Sequence, residues 1–274
     1  MVITTLVENS TISKEYEKKH GLSMHLNIDN HNILFDLGPD DTFIKNAKKL
    51  NVNIEDVDIV IISHGHKDHG GGLEAFLKYN DKAKIYINKY AFESYYTSLF
   101  KYGKHYIGLN PEFKTNNRVV ITNEVYNINQ NMRLISNIRG EKLVPTSNKS
   151  LYIKEGTKFI PDAFKHEQSL ILNDNGKIIL ISGCSHTGIL NILEEAEKIV
   201  GKKIDFIIGG LHLFNPVSKI TEDLSFINDL AHNLSIKNYK IYTCHCTGLK
   251  AFNILEGILG DNIKSLSTGQ VLEL

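Results

Sequence analysis

The sequence predicts a layered α/β fold, and three observations carry that prediction. Short β-branched apolar runs alternate with amphipathic stretches along most of the chain. The most apolar runs, Asp58 to Ile62 and Lys177 to Ile181, are strand-sized and far short of the ~18 residues that cross a bilayer. The composition is that of an ordinary globular protein: 42% hydrophobic, 23% charged, with Lys+Arg equal to Asp+Glu at 31 each. That charge balance excludes a general nucleic-acid binder, which needs a basic face. A length of 274 residues suits one large α/β unit, and no linker rich in Pro, Gly or Ser divides it, so a single domain over 1–274 is expected.

Each element follows from local pattern. Val2 to Val7 opens as a strand rather than a signal peptide, because Glu8 comes early and no basic lead precedes it. Leu22 to Ile28 and Asn32 to Leu37 form a hairpin around Asp29 and Asn30. Asp41 to Leu50 reads as a helix, Val57 to Ile62 as a strand too short to be one, Gly72 to Tyr79 as a helix and Lys84 to Ile87 as a strand. Between about 95 and 165 periodicity weakens and Asn and Tyr accumulate. Arg118 to Thr122 and Met132 to Ile138 are strand-like there, and the segment is expected to include a cap. Regularity returns with strands at Ser169 to Leu172 and Lys177 to Ser182 around Asp174-Asn175-Gly176. A helix with Ile189, Ile192, Leu193, Ala196, Ile199 and Val200 on one face stops at Gly201. A strand at Asp205 to Ile208 follows, then a helix with Ile220, Leu224, Ile227, Leu230 and Leu234 in register behind Ser218 as N-cap. Lys240 to Thr243 is the next strand, and a last helix follows Gly248.

Four strands end alike. Val57 to Ile62 runs into His64, Lys177 to Ser182 into His186, Asp205 to Ile208 into His212, and Lys240 to Thr243 into His245. Open α/β sheets gather functional groups at the carboxyl ends of strands, so converging imidazoles point to a metal. The cluster His64-x-His66-x-Asp68-His69, flanked by Gly65 and Gly70, sharpens this. A turn leaving a strand can face the alternate residues His64 and His66 to one ion, and Asp68 and His69 to a second.

Ser63-His64-Gly65-His66-Lys67-Asp68-His69-Gly70 resembles the His-x-His-x-Asp-His signature of the metallo-β-lactamase superfamily, and Asp36 in Leu34-Phe35-Asp36-Leu37-Gly38 resembles the buried Asp of its first motif. Four further stretches are similar to one branch of it: His20-Gly21-Leu22-Ser23, Ser182-Gly183-Cys184-Ser185-His186-Thr187-Gly188, Gly209-Gly210-Leu211-His212-Leu213 and Cys244-His245-Cys246-Thr247-Gly248. That branch contains proteins named as synthases of 7,8-dihydropterin-6-yl-methyl-4-(β-D-ribofuranosyl)aminobenzene 5'-phosphate. The resemblance implies an α/β architecture of the metallo-β-lactamase kind, an αβ/βα sandwich of two mixed sheets packed face to face with helices outside. It also implies two divalent metal ions, zinc first, with manganese or iron as alternatives. By motif order His64 and His66 with a later His bind one ion, and Asp68, His69 and His245 bind the other. The later His is read as His186 in preference to His166, because His186 follows a strand end. Where the superfamily has a bridging Asp after Ser-Gly, this chain has Cys184. Its thiolate can ligate or bridge zinc; in the alternative it packs as an inert thiol and His186 supplies the contact.

The resemblance implies a hydrolase in which a metal-activated hydroxide, oriented by Asp68, attacks an ester or phosphoester of a small molecule. The alternative is a synthase or transferase acting on a dihydropterin precursor in tetrahydromethanopterin-type cofactor synthesis. A di-iron redox protein is argued against by His66, where the superfamily's redox members typically carry Glu. His212 reads as catalytic, a proton donor or a substrate contact, because Gly209 and Gly210 permit close approach of a substrate to the backbone; a ligand or a structural role is the alternative. A structural zinc on Cys184, Cys244 and Cys246 is disfavoured, since Cys-x-Cys is tighter than the usual knuckle. His25 and His31 are expected at the surface. The aromatic stretch Tyr95, Tyr96, Phe100, Tyr102, Tyr106 and Phe113 is read as core or a contact between copies before a platform for a planar substrate. No phosphate-binding glycine loop implies a nucleotide cofactor. The expected partner is a small molecule, with no nucleic acid and no membrane, and a homo-oligomer is left open. An odd number of cysteines, three, suits the reducing cytoplasm.

Overall fold

The apolar runs become strands of two mixed seven-stranded sheets, each in its own compact unit. The structure, a computed structural model, describes residues 1–98 and 103–274. Phe100 and Tyr102 of the expected aromatic stretch lie outside the described residues. In chain order the first elements are β1 (Val2–Val7), β2 (Ser23–Ile28), β3 (His31–Phe35), α1 (Thr42–Lys49), β4 (Ile59–Ile62), α2 (Lys67–Gly70) and α3 (Leu73–Tyr79). Next come β5 (Lys84–Asn88), β6 (Tyr95–Ser98), β7 (Lys104–Tyr106), β8 (Val119–Thr122), β9 (Val125–Asn127), β10 (Met132–Ser136), β11 (Leu151–Glu155) and β12 (Lys158–Pro161). The last third holds β13 (Gln168–Asp174), β14 (Lys177–Ile181), α4 (Ile189–Val200), β15 (Phe206–Gly209), α5 (Leu224–Ile236), β16 (Lys240–Thr243), α6 (Leu249–Leu259), β17 (Ile263–Ser265) and β18 (Val271–Glu273). Among the described residues, no helix is long and apolar enough to cross a membrane.

Unit 1 comprises residues 1–123, 152–160 and 266–274. Its sheet runs β18-β1-β2-β3-β4-β5-β8, antiparallel up to β3 and parallel from β3 onward. Asp29 and Asn30 both take positive φ, the two-residue turn that the hairpin between β2 and β3 requires. Leu34, Val60, Ile62, Ile85 and Ile87 of the sheet pack with Phe43 of α1 and Leu73 and Phe76 of α3. His25 corrects an expectation: it is buried, its Nε2 3.2 Å from Asn32 Oδ1. Burial lowers its pKa against the raising effect of that hydrogen bond. A second sheet, β12-β11-β6-β7, takes up part of the expected cap.

Unit 2 comprises residues 124–151 and 161–265, and its sheet runs β17-β16-β15-β14-β13-β10-β9. Strands β14 to β17 are parallel, with Ile181 beside Ile208 and Gly209 beside Thr243. That register brings the carboxyl ends of β14, β15 and β16 to one edge. Ile192 and Leu193 of α4, Ile227, Leu230 and Leu234 of α5, and Leu255 of α6 form its core with Leu180, Ile207 and Ile241. The helix after β15 begins later than expected. Asn215 Oδ1 accepts from Val217 N and Ser218 N at 2.9 and 3.0 Å, and Phe214 bridges Thr221, so residues 214–221 form a turn that α5 follows from Asp223. A local side-chain acceptor offers the backbone an alternative to the helix and wins over the apolar spacing. Ile220, counted in the expected helix, is 65% exposed.

Candidate metal centre

In unit 1 the parallel pairing of β3 with β4 places Phe35 beside Ile61, so Asp36 and Ser63 leave the two strands within hydrogen-bond reach of each other. Asp36 takes the left-handed conformation at φ 60 and is fully buried. Such a backbone position costs a non-glycine residue on the order of 1 kcal/mol and concentrates at functional sites. Its Oδ1 accepts from Ser63 N and its Oδ2 from Ser63 Oγ, each at 2.7 Å, and His69 Nδ1 lies 2.6 Å from Oδ2. Because Ser63 Oγ spends its proton on Asp36, its contact with His64 Nδ1 at 2.8 Å makes the imidazole the donor. Both His64 and His69 are thereby held with Nδ1 protonated and Nε2 as the nitrogen a metal takes, the carboxylate–histidine arrangement of metal sites. The His64 ring centroid stands 4.6 Å from that of His66 and 4.1 Å from that of His69.

Asp68, on α2, is one-quarter exposed, with Oδ2 3.3 Å from His20 Nε2 and 3.8 Å from His69 Nε2. Its carbonyl accepts from Leu22 N, and a Cβ on Gly21 would stand 2.4 Å from that oxygen. The His20-Gly21-Leu22 stretch therefore grips the back of the motif, which only glycine permits at φ 149. Tyr95 meets the His66 ring edge-on at 5.9 Å.

In unit 2 the shared edge of β14, β15 and β16 gathers Cys184, His186, His212, His245 and Cys246, all buried. The ligand atoms of Cys184, His186 and His212 lie within 4.8 Å of one another, and so do those of Cys184, His245 and Cys246. Cys184 belongs to both groups. Ser185, His212 and His245 all take positive φ. His186 Nδ1 lies 3.0 Å from Asn148 Oδ1, while Asn148 Nδ2 donates to the His186 carbonyl at 2.8 Å. Phe164 stacks on the same ring at 4.4 Å. Glu167 accepts from His186 N at 2.6 Å and from Thr187 N and Oγ1 at 2.9 and 2.7 Å, fixing this turn. Burial raises the Glu167 pKa more than these donors lower it. His166 Nε2 is 2.9 Å from Asp162 Oδ2.

Both ring nitrogens of His212 are buried without a hydrogen bond, its N–H donates to Cys246 Sγ at 3.2 Å, and its carbonyl accepts from Ser147 Oγ. The glycines before it also meet a packing requirement. A Cβ on Gly209 would stand 2.0 Å from Ser182 O and one on Gly210 2.5 Å from Cys246 Sγ, so they make room for the neighbouring loops of the protein. Burial raises the Cys246 thiol, but contacts with the Cys184 and His212 side chains and the charges of His245 and His212 outweigh it, holding the thiol well below the usual range. Asn148 and Glu167 are not candidates on sequence grounds, and Cys246 is weighed there only for a disfavoured structural zinc. Only Cys246 carried a signal there, being next to His245 at a strand end.

The donor chemistry fits transition-metal ions: oriented imidazoles in unit 1, imidazoles with thiols in unit 2. Comparison with known proteins agrees. The model of the metallo-beta-lactamase superfamily matches residues 20–198. An uncharacterised protein of Methanocaldococcus jannaschii is 31% identical over 260 residues, covering 93% of each chain. A second protein of that organism, 28% identical over 297 residues and covering 99% of this chain and 96% of its own, is named 7,8-dihydropterin-6-methyl-4-(beta-D-ribofuranosyl)-aminobenzene-5'-phosphate synthase. Among solved structures, Tm1679, described as a metal-dependent hydrolase of the beta-lactamase superfamily, superposes with a TM-score of 0.83 at 29% identity, over 100% of this chain and 99% of its own. Zn(2+)-bound PqqB from Methylobacterium extorquens, at TM-score 0.57, 12% identity and full coverage of both chains, shares the fold.

Proposed function

This chain belongs to the metallo-β-lactamase superfamily, and on that premise we propose that it is a hydrolase dependent on two divalent metal ions, zinc first, acting on an ester or phosphoester of a small molecule. The observation that carries the reading is the hydrogen-bond chain from Asp36 through Ser63 and onto His64 and His69, which orients two imidazoles as metal ligands. His64, His66, Asp68 and His69 of unit 1 and Cys184, His186 and His245 of unit 2 would supply the ligands, as the motif order implies. When bound, the ions supply an acidified water and positive charge against the developing anion. The protein's residues do the rest. Asp68 is exposed enough to meet solvent and substrate, and its carboxylate orients the attacking group and can hold a proton. His212 offers ring nitrogens without hydrogen bonds as a proton donor to the leaving group.

A second reading, favoured by the 28% identical relative named as a synthase, is that the same residues act on a dihydropterin precursor. Phosphodiester, thioester and lactone substrates, tested beside a dihydropterin precursor on metal-loaded protein, separate the two. Hydrolysis lost on chelation and regained with zinc or manganese supports the first; turnover of the precursor alone supports the second. Metal-independent hydrolysis would sink the first, and metal-independent turnover of the precursor the second.

A further inference from the structure

Cys246 is a buried sulfur that the proposed mechanism does not use. It follows His245 at the end of β16, and its Sγ, the His245 ring and Cys184 Sγ present ligand atoms within 4.8 Å of one another. Donor atoms around one four-coordinate zinc stand about 3.3–3.8 Å apart, from Zn–S near 2.3 Å and Zn–N near 2.0 Å, so this group is within small side-chain adjustments of a ligand set. The surroundings of the sulfur suit a thiolate. His212 N donates to it at 3.2 Å, and an N–H···S bond is stronger to a charged acceptor than to a neutral thiol. Gly210 leaves its space clear, since a Cβ there would come 2.5 Å from Sγ. Cys246 Sγ donates as a thiol to the Cys184 carbonyl at 3.6 Å, a proton that metal binding would displace.

We infer that Cys246 is a metal ligand, so that the ion held by His245 takes two thiolates, Cys184 and Cys246, and is a thiophilic cation such as zinc in preference to manganese or magnesium. The inference rests on the metal centre proposed above and deepens it by assigning a further ligand and the class of ion. Soft sulfur donors favour zinc, whereas manganese and magnesium prefer carboxylate, carbonyl and water oxygens.

Cobalt(II) tests this, because thiolate ligation gives it an intense ultraviolet charge-transfer absorption that imidazole and carboxylate do not. Full-length protein is stripped with a chelator and reloaded with cobalt. The band should be present in the wild type, reduced but retained in Cys184→Ser, and abolished in the Cys184→Ser/Cys246→Ser double variant. Zinc affinity of Cys246→Ser should fall by at least about tenfold, with manganese affinity little changed. Cys184→Ser keeps Cys246 intact, so its spectrum answers without the Cys246 variant having to fold. Loss of the whole band in Cys184→Ser, or its absence from cobalt-loaded wild type, overturns the inference while leaving a two-metal centre standing. No uptake of any metal by the wild type instead brings down the proposed function itself.

Discussion

In unit 1 the candidate ligands lie on a single turn, Ser63 to His69, backed by a carboxylate; in unit 2 they come from three strand ends and are backed by amides, backbone and sulfur. Unit 1 fixes its imidazoles through Asp36, a fully buried group whose acceptor oxygens are committed to Ser63 and His69. Unit 2 fixes His186 through the half-buried Asn148 and the Glu167 carboxylate on its backbone, and relies on parallel register to bring Cys184, His212 and His245 to one edge. The first arrangement is local and stiff in chemistry; the second is assembled by topology and richer in soft donors. A mixed sheet can thus present candidate metal ligands either by a local sequence motif or by strand register alone.

Substitutions can break that contrast, beginning with the largest effect. Asp68→Asn should lower turnover by about 10²–10⁴-fold with little change in stability, because a carboxylate that orients the attacking group acts mainly in the transition state. Steady-state kinetics at matched metal content check it, and near wild-type activity would remove Asp68 from the mechanism. Asp36→Ala should destabilise by about 3–5 kcal/mol, since it strips acceptors from Ser63 and His69 in a site closed to water. The matching change in unit 2, Asn148→Ala, should cost about 1–2 kcal/mol, because water can replace a half-buried amide. Denaturant titrations of the pair decide; equal losses would erase the distinction drawn here. Gly210→Ala should cost about 1–3 kcal/mol by pushing on Cys246 Sγ at 2.5 Å and Gly183 O at 2.9 Å. Gly257→Ala in α6, where a Cβ meets nothing within 4 Å, should instead stabilise by about 0.5–1 kcal/mol. Thermal melts of both variants sharpen the point that glycines of the β15 edge are there for space.

What the sequence disclosed follows the same division. The His64 to His69 cluster and Asp36 were legible because the cluster's spacing is local and apolar runs, Ile33 to Phe35 and Ile59 to Ile62, lead into both. The hairpin turn at Asp29-Asn30 and the stop of α4 at Gly201, which takes φ 67, were legible for the same reason. Cys-x-Cys reads as a poor zinc knuckle, which leaves Cys246 out of the ligand set, and its proximity to Cys184 arises from the β14-β15-β16 register, which no local pattern encodes. Asn148 reaches His186 from a loop far along the chain and left no trace in spacing. Ile220 and Leu224 sit at helical spacing and predict an earlier start for α5, while the Asn215 side chain turns the chain before the helix begins. Alternation predicts His25 at the surface, yet its partner strands bury it.

Elemental analysis of freshly purified full-length protein decides whether the chain takes up the two metal ions proposed for it. Close to two transition-metal ions per chain, as isolated or after incubation with zinc, manganese or iron, is the result expected. No more than trace metal, with no uptake after incubation, would contradict it.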